Sequence, residues 1–215
     1  MKKLVITIDG PAASGKSSIS KLLAEKLGIN HLSTGIFYRA LSYYMIKKGL
    51  DEKEFISVLD TLSIDVVFPD KIQIEELTIE ESLLHSVEIS KMASKIAKIK
   101  KVRDFLLNLQ RNVISRGKIV ADGRDVGTIV YPEADFKFFL TASSSERARR
   151  RLLELSLPLS EFLSIKKEIE ERDKRDKLRE IAPLIPANEA YIIDSTYRTK
   201  QEVVDIMLEV IRRNL

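Results

Sequence analysis

The chain has no cysteine, no tryptophan and only two histidines, and its 215 residues include just 8 glycines and 6 prolines. Without cysteine there is neither a disulfide framework nor a thiolate metal site, which suits a reducing cytosol. His31 and His85 have no ligand partners at metal spacing, so both are expected to be structural. No apolar run approaches the roughly 18 residues of a membrane-spanning helix. Repeats, low-complexity tracts and Pro/Gly-rich linkers are missing too, so one domain over 1–215 is expected, with small excursions. Met1-Lys2-Lys3 runs straight into an apolar strand, which argues against a cleaved signal peptide and for a cytoplasmic protein. Nor is there a surplus of one charge: 36 Lys and Arg face 32 Asp and Glu, mixed throughout, for a net charge of +4. With no aromatic-studded basic strip, a nucleic-acid partner is not expected, whereas a mild positive balance suits polyanionic small substrates.

What is present is concentrated near the start. Gly10-Pro11-Ala12-Ala13-Ser14-Gly15-Lys16-Ser17 has the spacing G-x-x-x-x-G-K-[ST], in which glycines let backbone N–H groups turn around an anion. Lys16 is placed to reach the β- and γ-phosphates of a nucleoside triphosphate, and the Ser17 hydroxyl to ligate Mg²⁺. The context fits. Leu4 to Ile8 reads as a buried strand, and from Ser18 the residues Ile19, Leu22, Leu23 and Leu27 have helical spacing. The loop then lies at a helix N-terminus, where the dipole favours phosphate.

Beyond Gly28, Ile29–Leu32 is expected to be a second strand and 36–48 a helix with Phe37, Leu41, Tyr44 and Met45 on one side. Residues 64–79 change character: Val66-Val67-Phe68, Pro69-Asp70 and Ile72-Gln73-Ile74 read as an inserted antiparallel hairpin. From about Ser86 to Arg116 the pattern is helical. Lys118–Asp122, Phe136–Leu140 and Tyr191–Ile193 are three further strands, with helices at 144–155, 160–178 and 200–213. Strands alternating with helices predict an α/β fold with a five-stranded parallel sheet covered on both faces, its ligands at the carboxyl ends of the strands.

A triphosphate site alone does not choose among GTPases, motors and small-molecule kinases. A guanine-reading N-K-x-D is not found, and an evident Walker B acidic pair is not seen. Arginine is plentiful instead: Arg39, Arg103, Arg124, Arg147, Arg149, Arg150, Arg151, Arg172, Arg175 and Arg179. Phosphoryl transfer between nucleotides crowds negative oxygens together, and planar guanidinium forks are suited to hold them. Some of these arginines, Arg149, Arg150 and Arg175 among them, read equally as solvated helix faces. Gly123-Arg124-Asp125 directly follows a buried strand, where Arg124 suits a phosphate and Asp125 a base amino group or hydroxyl. Asp122 stands where an acid touches Mg²⁺ through water, although a strand-terminal Asp is also a common turn residue. Arg172, Asp176 and Arg179 share one helical face, as does a salt-bridge ladder.

As a set, these motifs resemble the bacterial cytidylate kinases (CMP/dCMP kinases), nearly end to end. The resemblance is carried by Gly10–Ser18, Thr34-Gly35-Ile36-Phe37-Tyr38-Arg39-Ala40, Ala121-Asp122-Gly123-Arg124-Asp125-Val126-Gly127-Thr128, Glu171–Asp176 and Ala182-Pro183-Leu184. It implies one P-loop nucleoside monophosphate kinase domain, with a nucleotide-acceptor region over about 36–105, the insert near 64–79, and a lid over about 147–175. It implies transfer of the ATP γ-phosphoryl group to CMP or dCMP with Mg²⁺ by a monomer, with a broader UMP/CMP-type kinase as the alternative. A non-catalytic binder with a degenerate P-loop is disfavoured by intact Lys16 and Ser17. By position, Gly10 to Ser18 with Arg147 and Arg151 would bind ATP, with Ser17, and Asp122 less directly, on the metal. Lys16, Arg124 and Arg179 would be catalytic. Arg39, Arg124 and Arg179 would grip the acceptor phosphate beside Thr34, Ser94, Arg103 and Asp125 would read cytosine, and Arg172 and Asp176 would touch ribose. Three places depart from the family pattern: Ser33 stands where Asp is usual, His85 lies near where an Arg often sits, and Leu155–Leu159 lacks the frequent Lys-Gly.

Overall fold

Val5-Ile6-Thr7-Ile8-Asp9 is β-branched at its first four positions, a run that packs better on a pleated surface than in a helix. In the computed structural model, which describes residues 3–214, these residues form the central strand of a parallel sheet. In chain order the elements are β1 (Val5–Asp9), α1 (Lys16–Leu27), β2 (Asn30–Ser33), α2 (Gly35–Lys48) and α3 (Glu52–Val58). Then come β3 (Ile64–Val67), β4 (Lys71–Ile74), β5 (Leu77–Glu80), α4 (Val87–Ile96) and α5 (Lys100–Ile114). The last stretch holds β6 (Ile119–Gly123), β7 (Phe136–Thr141), α6 (Ser144–Leu155), α7 (Phe162–Leu178), β8 (Tyr191–Asp194) and α8 (Lys200–Asn214).

The chain divides into two compact units, one from residues up to Leu32 and from Gly117 onward, the other from Ser33–Arg116. The first carries the five-stranded parallel sheet expected from the sequence, in the order β2-β6-β1-β7-β8. Because β1 lies between β6 and β7, the strand order reverses at β1, and the loops after β1 and β6 open at the same end. The register places Ile8 beside Asp122 and Asp9 beside Gly123. One face of the sheet packs Ile6, Ile8, Val120, Phe138 and Leu140 against Ile19 and Leu23 of α1 and Val203, Val204 and Met207 of α8. Each such side chain contributes about 1.5–3 kcal/mol on burial, so this layer fixes where α1 begins. Elsewhere α6 and α7 pack on each other through Ala148, Leu152, Ile165 and Ile169. Among the described residues no helix is long and apolar enough to cross a membrane.

The second unit corrects one expectation. The insert is a three-stranded antiparallel sheet, β3-β4-β5, not a two-stranded hairpin. Ile72 of β4 pairs with Val66 on one side and Ile79 on the other, and all three are buried. Helix α3 was not expected at all. It opens with a reciprocal cap in which Asp51 accepts from the Glu54 amide (2.9 Å) while the Glu54 carboxylate accepts from the Asp51 amide (2.9 Å). The helical stretch after Ser86 is two helices, with the chain turning at 97–99.

Two glycines separate steric from conformational need. A Cβ on Gly10 would stand 2.1 Å from the Leu140 carbonyl oxygen, whereas one on Gly28, at φ 63, would meet nothing within 4 Å. Gly28→Ala is therefore expected to cost only the left-handed strain, about 1 kcal/mol, while Gly10→Ala must move β1 or β7 and is expected to cost about 3 kcal/mol or more. Urea unfolding of the two variants tests this; equal losses would refute the close-approach argument.

Candidate active site

The end of β1 is polar where the strand stops. Asp9 is buried, and one carboxylate oxygen accepts the Val126 amide (2.8 Å) while the other accepts the Gly127 amide (2.7 Å). Burial pushes the Asp9 carboxyl up to about 7, and Asp125 adds repulsion, while the two amide donors and Lys16 pull the other way. This contact pins the wide turn at Val126–Val130, and with it the Arg124-Asp125 pair just ahead, to the strand that launches the Gly-rich loop.

That loop is clasped from behind. Arg147 donates to the carbonyls of Ala12 (3.1 Å) and Ala142 (2.9 Å) and pairs with both oxygens of Asp173 on α7 (3.0 and 2.6 Å). One turn on, Arg150 donates to the Ser14 carbonyl (3.1 Å) and to the Ser195 hydroxyl (3.0 Å) and carbonyl (2.6 Å). Two loop carbonyls are thus held by guanidinium groups that the chain spaces three residues apart on α6. Arg151 pairs with Glu154 (2.8 Å) and Arg149 with Glu146 (2.8 Å), the latter on an exposed face, and Arg175 is exposed.

Lys16, the first residue of α1, is 7% exposed and donates to the Pro11 carbonyl at 3.0 Å. Burial leaves its ammonium holding its proton well below the ordinary lysine range; Arg124 and Arg172 add repulsion that Asp122 and Asp176 partly offset. A cation in such a place calls for more negative charge than the protein supplies. Next to it, the Ser17 hydroxyl donates to Asp122 (2.9 Å), whose other oxygen meets His31 Nε2 (2.8 Å). Burial pushes the Asp122 carboxyl up, but the His31 contact, Lys16 and Ser17 together outweigh it and hold it below the usual range.

Around Lys16 the same unit gathers charges of both signs. Arg124 Nε donates to Asp176 at 3.0 Å, and Arg179 lies 3.4 Å from Asp125 while its Nε donates to the Ala182 carbonyl. Asp125 is 8% exposed. Asp176 is raised by burial and lowered by Arg124, Arg172 and Arg179, which win.

Comparison with known proteins decides what this geometry belongs to. The family model described as cytidylate kinase matches residues 6–213. The chain belongs to the cytidylate kinase family. It is 42% identical to a cytidylate kinase of Clostridioides difficile, covering 95% of this chain and 96% of that one. It is also 42% identical to a cytidylate kinase of Thermotoga maritima, over 98% and 97% of the two chains. Solved structures are more distant and share the fold: an uncharacterised protein from Eubacterium ventriosum (TM-score 0.56, 12% identity, 98% and 99% covered) and a shikimate kinase from Bacteroides thetaiotaomicron (0.51, 12%, 98% and 99%).

The residues that the family resemblance places on the acceptor side fall in both units. In the unit of Ser33–Arg116, Thr34 is buried and its carbonyl accepts from Gln110 (3.4 Å). Arg39 on α2 donates to the Leu84 carbonyl (3.2 Å) and stands 2.7 Å from His85 Nδ1. Ser94 is half-buried on α4, and Arg103, buried on α5, donates to the Ala97 carbonyl (3.4 Å). Sequence reasoning missed Asp9, Asp173 and the clasping role of Arg150. The spacing of Arg147 and Arg150 on one helical face was the available signal for the last.

The Arg124–Asp176 pair has a pH signature. Because the folded carboxyl of Asp176 lies below its ordinary value of 3.8, its contribution is present above that value and lost as the pH falls through the lower folded one. Asp176→Asn is expected to cost about 1–2 kcal/mol near neutral pH, and the gap to wild type should close below about pH 3.8. Urea unfolding across that range checks it; a gap that widens in acid would contradict the ion pair.

Proposed function

We propose that the chain transfers the γ-phosphoryl group of ATP to CMP and dCMP, giving ADP and the corresponding diphosphate. The observation that carries this is Lys16, a buried cation at the N-terminus of α1 with Arg124 and Arg172 as electrostatic neighbours, in a chain of this family. In such a place a polyphosphate restores the charge balance and a neutral ligand does not.

The donor triphosphate is taken by the loop Gly10 to Ser18, with Arg147 and Arg151 on the same side. An oxygen of the acceptor phosphate, already ionised, attacks the γ-phosphorus in line as the bond to the β-bridging oxygen breaks, and that oxygen leaves on ADP. No covalent intermediate and no strong general base are needed. Lys16, Arg124 and Arg179 neutralise charge on the phosphoryl groups, which is where most of the acceleration of such reactions comes from. In the unit of Ser33–Arg116, Arg39 holds the acceptor phosphate near Thr34, and Ser94 and Arg103 contact the base. In the other unit, Asp125 reads cytosine and Arg172 and Asp176 the ribose. A carboxylate accepts from the 4-amino group of cytosine, whereas uracil offers an oxygen there and leaves two acceptors facing each other.

The residues also fit a magnesium ion. Ser17 and Asp122 present a hydroxyl and a carboxylate, both hard oxygen donors, joined by a 2.9 Å bond. Mg²⁺ keeps waters and substrate phosphates as most of its ligands, so it does not require a larger acidic cluster, and among the described residues there is none. Ser17 would hold the ion and Asp122 one of its waters. When bound, the ion neutralises β- and γ-phosphate oxygens.

The deciding experiment measures ADP release from ATP with CMP, dCMP, UMP and AMP in turn, beside Asp125→Ala. CMP and dCMP are expected to exceed the others in kcat/KM by about 100-fold, and the variant to lose most of that ratio. Equal turnover of UMP, or no turnover of any monophosphate, would overturn the acceptor assignment.

A further inference from the structure

His31 sits on β2, 91 residues before Asp122 in sequence, and the fold alone brings the two together. The neighbouring strand β6 carries Asp122, which is 1% exposed, and the two meet at 2.8 Å through Nε2 and Oδ2. The carboxylate is therefore engaged at both oxygens, by His31 on one and by the Ser17 hydroxyl on the other. A buried carboxylate held this way has little rotational freedom, and its second oxygen stays aimed at Ser17. The Ser17 proton is then committed to Asp122. What the hydroxyl presents in other directions is its lone pairs, the part of the group that binds a cation.

We propose that His31 is a positioning residue for the divalent ion that accompanies the phosphoryl donor, a role that rests on the phosphotransfer reading above. Nε2 carries the proton donated to Asp122, so His31 is in the Nε2–H form, as the hydrogen-bond network requires. His31 does not touch ion or substrate. It fixes the orientation of Asp122, and through it the direction in which Ser17 offers its oxygen. Partners one step removed from a metal commonly govern 10–100-fold in metal affinity, about 1.4–2.7 kcal/mol. The two competing accounts of His31 are a packing residue and a partner that only stabilises a buried acid. Both predict a change in stability and no selective change in metal response.

The test is a calorimetric titration of ADP into full-length wild type, His31→Leu and His31→Gln, in EDTA and over a series of Mg²⁺ concentrations. In His31→Leu, the Mg²⁺ concentration giving half of the metal-dependent gain in ADP affinity is expected to rise about 10-fold or more, with ADP affinity in EDTA within about two-fold of wild type. In His31→Gln, whose amide can still donate, the rise is expected to be about three-fold or less. An unchanged Mg²⁺ response in His31→Leu, or a loss of ADP affinity equal with and without metal, overturns the role. A second measurement needs no variant: in ¹⁵N-histidine-labelled wild type, Nε2 of His31 is expected to be protonated and to shift when Mg²⁺ is added to the ADP complex. An Nδ1–H form, or no shift on metal addition, is equally fatal. Failure of the phosphotransfer reading itself looks different: no monophosphate would be turned over although wild type binds ADP with a Mg²⁺ response, whereas ADP that fails to bind wild type with or without metal overturns both proposals.

Discussion

Everything at the working end of the parallel sheet follows from placing an ammonium group, Lys16, where water hardly reaches. A buried cation is tolerable only among carbonyls and carboxylates that are themselves fixed. The Pro11 carbonyl comes from the loop itself. The carboxylates come from β6 and α7, and that of β6 is on hand because β1 pairs with β6 in a register that sets Ile8 beside Asp122. A slip of one residue would turn Asp122 to the opposite face. The apolar layer of Ile6, Ile8, Val120 and Leu23 thus decides an electrostatic matter: it holds the register in which the acid stands at the right place.

The arginines divide by what they touch. Arg147 and Arg150 spend their donors on backbone carbonyls and on Asp173 or Ser195. They hold the loop in shape and leave few donors for a ligand, which gives Arg147 a structural share in what the sequence assigned to ATP alone. Arg124 and Arg179 pair with Asp176 and Asp125 at 3.0 and 3.4 Å. Such pairs keep a guanidinium oriented, and the carbonyls of Gly123 and Ala182 take a further N–H group of Arg124 and of Arg179 respectively. Charge composition could not separate these roles, since all four residues look alike in sequence.

Legibility followed sequence distance. The strands β1, β6, β7 and β8 and the Gly-rich loop were readable because apolar runs and glycine spacing are local signals, and the boundaries moved by only a residue or two. Helix α3 is equally local: Asp51-x-x-Glu54 before Phe55 is a capping box, a signal that stands in the sequence itself. Strand β5 was harder. Leu77-Thr78-Ile79-Glu80 offers only two inward residues, and it follows two glutamates that suit a helix as well as a turn. Beyond the reach of any local reading were Asp9 on the amides of residues 126 and 127, Arg147 on Ala12, and His31 on Asp122. Each joins residues more than 90 apart, and each is settled by sheet order rather than by spacing.

That last contact also bears on the charge of Asp122. His31 brings Nε2 to 2.8 Å from Asp122 Oδ2, and a proton donor at that distance favours the ionised carboxylate. A buried acid that is kept charged by a hydrogen bond needs less help from metal or lysine to stay so. In this chain His31, Lys16 and Ser17, all of the folded protein itself, together outweigh burial and hold the Asp122 carboxyl below the usual range.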